Sequence, residues 1–161
     1  MNNNSSMLKA ALAAIGFLAL SACGGGGAAV EDDSPEYQAY QYRNSVMRLA
    51  ANRMAIIGGM AREEIPLDED AFVQATTQLA ALASMNLAGF ENQTLVSASR
   101  TLPAAWETPD DFMQKNADFV EATQALADAA ADGGFAAAQG LVQGTAGTCG
   151  GCHRGYRARE E

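Results

Sequence analysis

A single histidine and three cysteines stand among 161 residues, with 10 lysines and arginines against 19 aspartates and glutamates. One imidazole excludes a metal cage built on several histidines, and three thiols exclude a disulfide-stapled scaffold. The net charge of −9 argues against nucleic acid or an anionic lipid surface as partner, since both repel such a chain. The longest apolar run, residues 10–20, has eleven residues, whereas a membrane-crossing helix needs about 20. No stretch alternates with period two, so a sheet has no signal. There is no Ser-His-Asp set, catalytic carboxylate pair or phosphate loop, and no second imidazole for general-base work.

What the sequence does carry begins with a leader. Residues 1–9 are polar with one positive charge, Lys9, and residues 10–20 are apolar. That layout reads as an export signal rather than a span. It ends in Leu20-Ser21-Ala22-Cys23, which resembles the lipobox of bacterial lipoproteins. The resemblance implies cleavage after residue 22 and lipidation of Cys23, whose several acyl chains would anchor the chain firmly. Gly24 after the cysteine implies sorting to the outer membrane. The alternative is an ordinary cleaved signal with Cys23 as a stray thiol. Residues 23–34 then form a Gly-rich tether, and 35–161 are the folded domain, on the extracytoplasmic side.

Within that domain the patterning predicts four helices. The first, 35–60, opens on Ser34-Pro35, a cap followed by proline at the first helical position. Tyr40, Arg43, Met47, Ala50, Met54 and Ile57 recur along it at spacings of three and four, one helix face, and Gly58-Gly59 reads as its exit. The second, 68–88, has Asp68 as cap, a stripe of Phe72, Ala75, Leu79, Leu82 and Met85, and Gly89 as stop. The third, 110–132, carries Phe112, Phe119, Ala122, Leu126 and Ala130, and stops at Gly133-Gly134. The fourth, 135–157, carries Phe135, Ala138, Leu141, Val142 and Thr145, with Gly140, Gly144 and Gly147 permitting close approach by something bulky. Methionines 54, 60, 85 and 113 read as core. The predicted fold is all-α, an antiparallel four-helix bundle. The long connection 89–109 folds back over one end, with Trp106 either plugging the core or touching a ligand.

The informative stretch is Cys149-Gly150-Gly151-Cys152-His153. Two thiols three residues apart lie on nearly one side of a helical turn and can add to the two vinyl groups of one porphyrin, with the next imidazole placed to reach the iron. This is the CxxCH pattern of covalent haem c, and it agrees with export. The competing readings are weaker. Zinc needs a fourth ligand, a thioredoxin-like pair belongs at a helix start in an α/β fold, and a disulfide three residues apart in a helix has poor geometry. His153 is then the proximal ligand, and any distal group comes from an earlier helix.

The tail Cys149–Arg157 resembles the CxxCHxxYR ending of the cytochrome c′ family. Tyr42-Arg43-Asn44-Ser45-Val46-Met47 is similar to its first-helix opening, and Trp106-Glu107-Thr108-Pro109 with Phe112 fits its centre. The resemblance implies a four-helix bundle with one covalent haem c. Arg43 matches the arginine that pairs with a haem propionate; a rim ion pair with a nearby carboxylate is the alternative. Asn44 stands where the family has a longer amide near the propionates. Met47 matches the residue over the distal iron face, which packs there without ligating in most members but here carries a thioether able to bind iron. Arg157 matches the arginine beside the proximal imidazole, or is a solvated last-turn charge. The implied roles are single-electron transfer with an unnamed redox partner, or binding of nitric oxide or carbon monoxide at five-coordinate iron. A low-spin carrier with Met47 bound, and a weak peroxidase or nitric-oxide-consuming enzyme, are the alternatives. A homodimer through the first helix is also implied, with Ala51, Ala55 and Gly59 allowing close approach.

Overall fold

The computed structural model describes residues 33–159. The leader 1–22, Cys23 and the tether up to residue 32 lie outside the described residues.

Helix α1 is Pro35–Ala61. Its start follows from the residues there: the Tyr37 N–H donates to Ser34 Oγ at 3.2 Å, and Pro35 lacks the amide hydrogen that would otherwise be orphaned. Gly58-Gly59 does not end the helix. Both glycines are buried in its last turns, because the connection folds back onto them. A Cβ on Gly58 would come within 2.7 Å of the Arg62 guanidinium, and one on Gly59 within 3.3 Å of Ile65. These glycines make room for packing, and Gly59 is therefore not available to a partner subunit.

Helix α2 is Glu69–Met85, capped by Asp68, whose carboxylate accepts from the Ala71 N–H at 3.0 Å. It tightens into a 3-10 turn, Asn86–Phe90, short of the expected end. Met85 is 46% exposed, because Leu79, Ala83 and Asn86 hold the inward positions at this end of α2. A short α3, Ala104–Glu107, precedes the long α4, Pro109–Tyr156, which breaks at Gly133 and Gly134 into limbs 109–132 and 135–156. Gly134 takes φ 65° and ψ −156°, a region open essentially to glycine alone. At the break the Phe135 N–H donates to Glu69 Oε2 at 2.9 Å, so a residue of α2 caps the second limb.

With α4 counted as two limbs, the fold is the expected four-helix bundle. Among the described residues the only strand-like pairing is an isolated bridge between Thr101 and Arg157. Ile57, Phe72, Leu79, Leu126, Ala138 and Val142 form the main core, each large aliphatic or aromatic side chain contributing about 1.5–3 kcal/mol by burial. Phe72 meets Phe135 edge to face at 5.1 Å. Leu141 and Met113 point outward, 41% and 51% exposed. Val142 and Phe112 hold the adjacent inward positions, and neighbouring residues cannot share a helix face. A smaller cluster of Ala105, Phe112 and Tyr156 closes one end, with Phe90, Trp106 and Cys152 against it.

The connection 91–103 is tied down from two sides. The Leu102 N–H donates to Tyr156 O at 2.9 Å and the Ala158 N–H to Arg100 O at 2.8 Å, so it runs along the end of α4. Arg43, 3% exposed, reaches across from α1. Its Nη1 donates to Gly89 O (2.7 Å) and Thr94 Oγ1 (2.6 Å), and its Nη2 to Thr94 O (2.8 Å). Its guanidinium lies 5.2 Å from the Phe90 ring centroid and 5.8 Å from that of Trp106. Burial lowers its pKa from the ordinary guanidinium value, yet a guanidinium keeps its charge in a protein. Trp106 donates from Nε1 to Phe90 O at 3.1 Å and plugs this end.

Two variants test this construction. Gly134→Ala forces a side chain into a glycine-only conformation and to 2.8 Å from Glu69 Oε2; denaturant unfolding should show a loss of about 1–3 kcal/mol. Arg43→Leu orphans the carbonyls of Gly89 and Thr94 and should cost about 2–5 kcal/mol. Its amide hydrogen exchange should quicken across 89–101 while α2 stays protected.

Candidate functional site

The last two turns of α4 carry Cys149, Cys152, His153 and Tyr156, at offsets of three and four that put them on one face. The face opens on a cavity of about 770 Å³ whose walls include all four residues. From α1 come Arg43, Asn44, Met47 and Met54; from the first limb of α4 come Phe112, Lys115, Asn116 and Phe119. The structure thus gathers the site residues expected at 43, 44, 47, 149, 152, 153 and 157 around one space. Cys23 lies outside the described residues. Trp106 is not among the lining residues, in keeping with its packing at this end of the bundle.

The thiols of Cys149 and Cys152 are free and half-buried. Burial pushes both pKa values up; at Cys152 the nearby Lys115 works against that rise. The shift is opposite to the one that makes the thiolates of redox-exchange pairs. The Cys149 Sγ faces Thr145 O at 3.9 Å. At His153, burial first and then the charges of Arg157 and Arg100 push the pKa down. The imidazole is neutral, the form that ligates a metal. Among the described residues no group of three or more His, Cys, Asp or Glu side chains is gathered to hold an ion.

Tyr156 fixes this turn. Its hydroxyl donates to Asp111 Oδ2 at 2.5 Å and pairs with Thr108 Oγ1 at 3.0 Å. That bond holds the Asp111 carboxyl below its ordinary range and the Tyr156 phenol above its own. Arg157, exposed at the helix terminus, lines the cavity beside His153. Met47 is half-buried in the wall, and Asn44 is exposed at the margin. Arg43 corrects one expectation: its hydrogen-bond partners are a hydroxyl and two carbonyls, so the rim ion pair is not formed. Its Nε has no partner.

Sequence reasoning missed two wall residues, Asn86 and Asn116. Both are buried, and Asn86 Nδ2 donates to Asn116 Oδ1 at 2.8 Å. A signal existed for one of them: Asn116 interrupts the stripe of Phe112, Phe119 and Leu126, a polar residue at a core position. Charge is segregated as well. Arg48, Arg62, Arg100, Lys115 and Arg157 line the cavity with Arg43, and among the described residues no aspartate or glutamate does.

Comparison with known proteins follows the same outline. A family profile described as Cytochrome C' matches residues 38–157. The chain is 39% identical over 122 residues to a cytochrome c-554 of Cereibacter sphaeroides, covering 73% of this chain and 91% of that one. The crystal structure of cytochrome c′ from Rubrivivax gelatinosus superposes with a TM-score of 0.72 at 27% identity, over 76% of this chain and 97% of its own. A nitric oxide complex of a variant of cytochrome c′ from Alcaligenes xylosoxidans shares the fold, with a TM-score of 0.71 at 22% identity over 78% and 97% of the two chains. The chain therefore belongs to the cytochrome c′ family, whose members carry one covalently attached haem c.

Proposed function

We propose that this chain is an extracytoplasmic haem c protein that transfers single electrons and leaves one iron face open to a small neutral gas, nitric oxide or carbon monoxide. The observation that carries the reading is the convergence of two free thiols and the only imidazole of the sequence on one cavity. The other walls suit a large planar group with an acidic edge. Met47, Met54, Leu79 and Phe119 supply apolar surface, and basic residues stand in the wall, of which Arg62 and Lys115 are paired with Glu64 and Asp111. The volume falls in the range of cofactor sites. Two buried polar atoms in the wall, Arg43 Nε and Asn86 Oδ1, lack partners in the chain itself.

In this reading Cys149 and Cys152 hold the porphyrin and His153 ligates its iron. Bound there, haem supplies a one-electron iron couple and a coordination position for a neutral diatomic. The chain does the rest. Tyr156, anchored by Asp111 and Thr108, fixes the turn that carries His153. The apolar wall keeps water from the distal side and lowers the local dielectric. Burial, and after it the charges of Arg157 and Arg100, disfavours protonation of His153. The nitric oxide complex of the Alcaligenes protein makes that gas a reasonable probe.

A second reading is favoured by Met47, whose side chain lines the same cavity from α1. If its thioether binds iron, the protein is a low-spin electron carrier without an open position. The remaining parts of the proposal rest on sequence: the leader 1–22, a lipid anchor at Cys23 in the outer membrane, and pairing of two copies through α1, where Ala51 and Ala55 are exposed.

Optical spectra decide the central point. Holoprotein matured in a host competent for haem attachment should be coloured, with the colour retained after acid-acetone extraction. Replacing both Cys149 and Cys152 by alanine should release it. A reduced spectrum that shifts on adding carbon monoxide supports the open face. A spectrum unmoved by the gas, with a thioether–iron charge-transfer band lost in Met47→Leu, supports the second reading. For the anchor, the wild-type chain should fractionate with outer membranes and Cys23→Ala with the soluble periplasm.

A further inference from the structure

We propose that the buried amide pair Asn86–Asn116, together with Arg43 Nε, forms a carboxylate seat in the cavity wall that takes one haem propionate. This rests on the haem reading above; the family resemblance already implies the Arg43–propionate contact, and the addition is the amide pair.

Arg43, Asn86 and Asn116 are 3%, 5% and 8% exposed, and all three line the cavity. Two of their polar atoms have no partner: the donor Arg43 Nε and the acceptor Asn86 Oδ1. An unpartnered buried polar atom is costly and calls for a ligand. Both Nη atoms of Arg43 are taken by Gly89 and Thr94, so this guanidinium has one N–H left, whereas a carboxylate has two oxygens to satisfy. The amide pair supplies the second donor. Oxygen and nitrogen of an asparagine amide are interchangeable in shape. Turning both amides by half a turn keeps the 2.8 Å bond with donor and acceptor exchanged. It also brings an Asn86 N–H to the place of the orphaned oxygen. Asn86 begins the 3-10 turn that Arg43 grips at Gly89, so both donors belong to one rigid unit.

The surroundings keep such a carboxylate ionised. The titratable and charged groups facing the cavity are Tyr40, Arg43, Arg48 and Arg62 from α1, Arg100 from the connection and Lys115 from the first limb. The second limb adds Cys149, Cys152, His153, Tyr156 and Arg157. A haem carries two propionates and Asp111 stands beside Tyr156, so the seated carboxylate is identified by the redox-linked transition that moves when Asn86 or Asn116 is replaced.

The test is the midpoint potential of the full-length holoprotein against pH, followed spectroscopically. Wild type should show an acid transition. In Asn86→Leu, which removes one donor to the anion, the transition should rise by about one pH unit or more. In Asn86→Asp, nearly isosteric, a like charge should raise it further. Asn116→Leu, which unlocks Asn86, should move it the same way and serves if Asn86→Leu does not fold. Identical transitions in all soluble variants would mean that the pair holds only a water, and would overturn the seat. A transition that moves with added acetate would assign the seat to a free carboxylate and overturn the propionate. A colourless preparation has no potential to measure and rejects the haem reading itself, before this test begins.

Discussion

A guanidinium buried without a carboxylate organises the working end of this bundle. Arg43 leaves α1, holds Gly89 and Thr94 through three hydrogen bonds, and lies against Phe90 and Trp106. A desolvated charge tolerates this only if its donors are well met. The segment it meets must therefore be held still, and the connection that follows the 3-10 turn becomes a wall rather than a loose loop. The same connection reaches Tyr156 and Ala158 through backbone bonds. One residue of the first helix is thereby coupled to the last turn of the last one, where His153 sits.

Legibility in the sequence followed range. Ser34-Pro35, Asp68 and the Gly133-Gly134 break act within a turn of themselves, and each places a boundary where the residues imply it. The offsets of Cys149, Cys152 and His153 are equally local, so the site's chemistry could be read from five residues. Gly58-Gly59 and Gly89 were less legible, because a glycine serves both as a stop and as space for a neighbour. Only the neighbours Arg62, Ile65 and Arg43 show that these glycines provide space. Leu141 looked like core because an apolar residue beside Val142 fits the same window of the pattern. The partners of Arg43 lie 46 and 51 positions away, and the amide pair spans 30. No local pattern encodes contacts at that distance, so the polar half of the cavity was hidden while its thiol and imidazole half was plain.

The chain's overall charge and the cavity's charge have opposite signs. Acidic residues dominate the composition, yet the described lining is basic. Net charge governs encounters at distances beyond the Debye length, about 8 Å at physiological salt, whereas a bound group feels its own walls. The same protein can therefore repel extended polyanions and still hold an anionic edge firmly. The acidic exterior is consistent with this division, since carboxylates such as Glu121 and Asp128 lie on exposed positions.

The distal side is where the two functional readings part, and the register of α1 bears on both. Met47 is one turn beyond Arg43 on the same face, and Arg43 is fixed by hydrogen bonds of 2.6–2.8 Å. The helix cannot slide to bring the thioether closer without breaking them. Met47 can approach an iron only by choice of rotamer, and methionine, unbranched and with three rotatable bonds, has more such choices than most side chains. A branched residue at 47 could only pack; a thioether there leaves ligation within reach of a side-chain movement. The clamp that holds Gly89 and Thr94 also fixes the place on α1 from which the Met47 side chain extends.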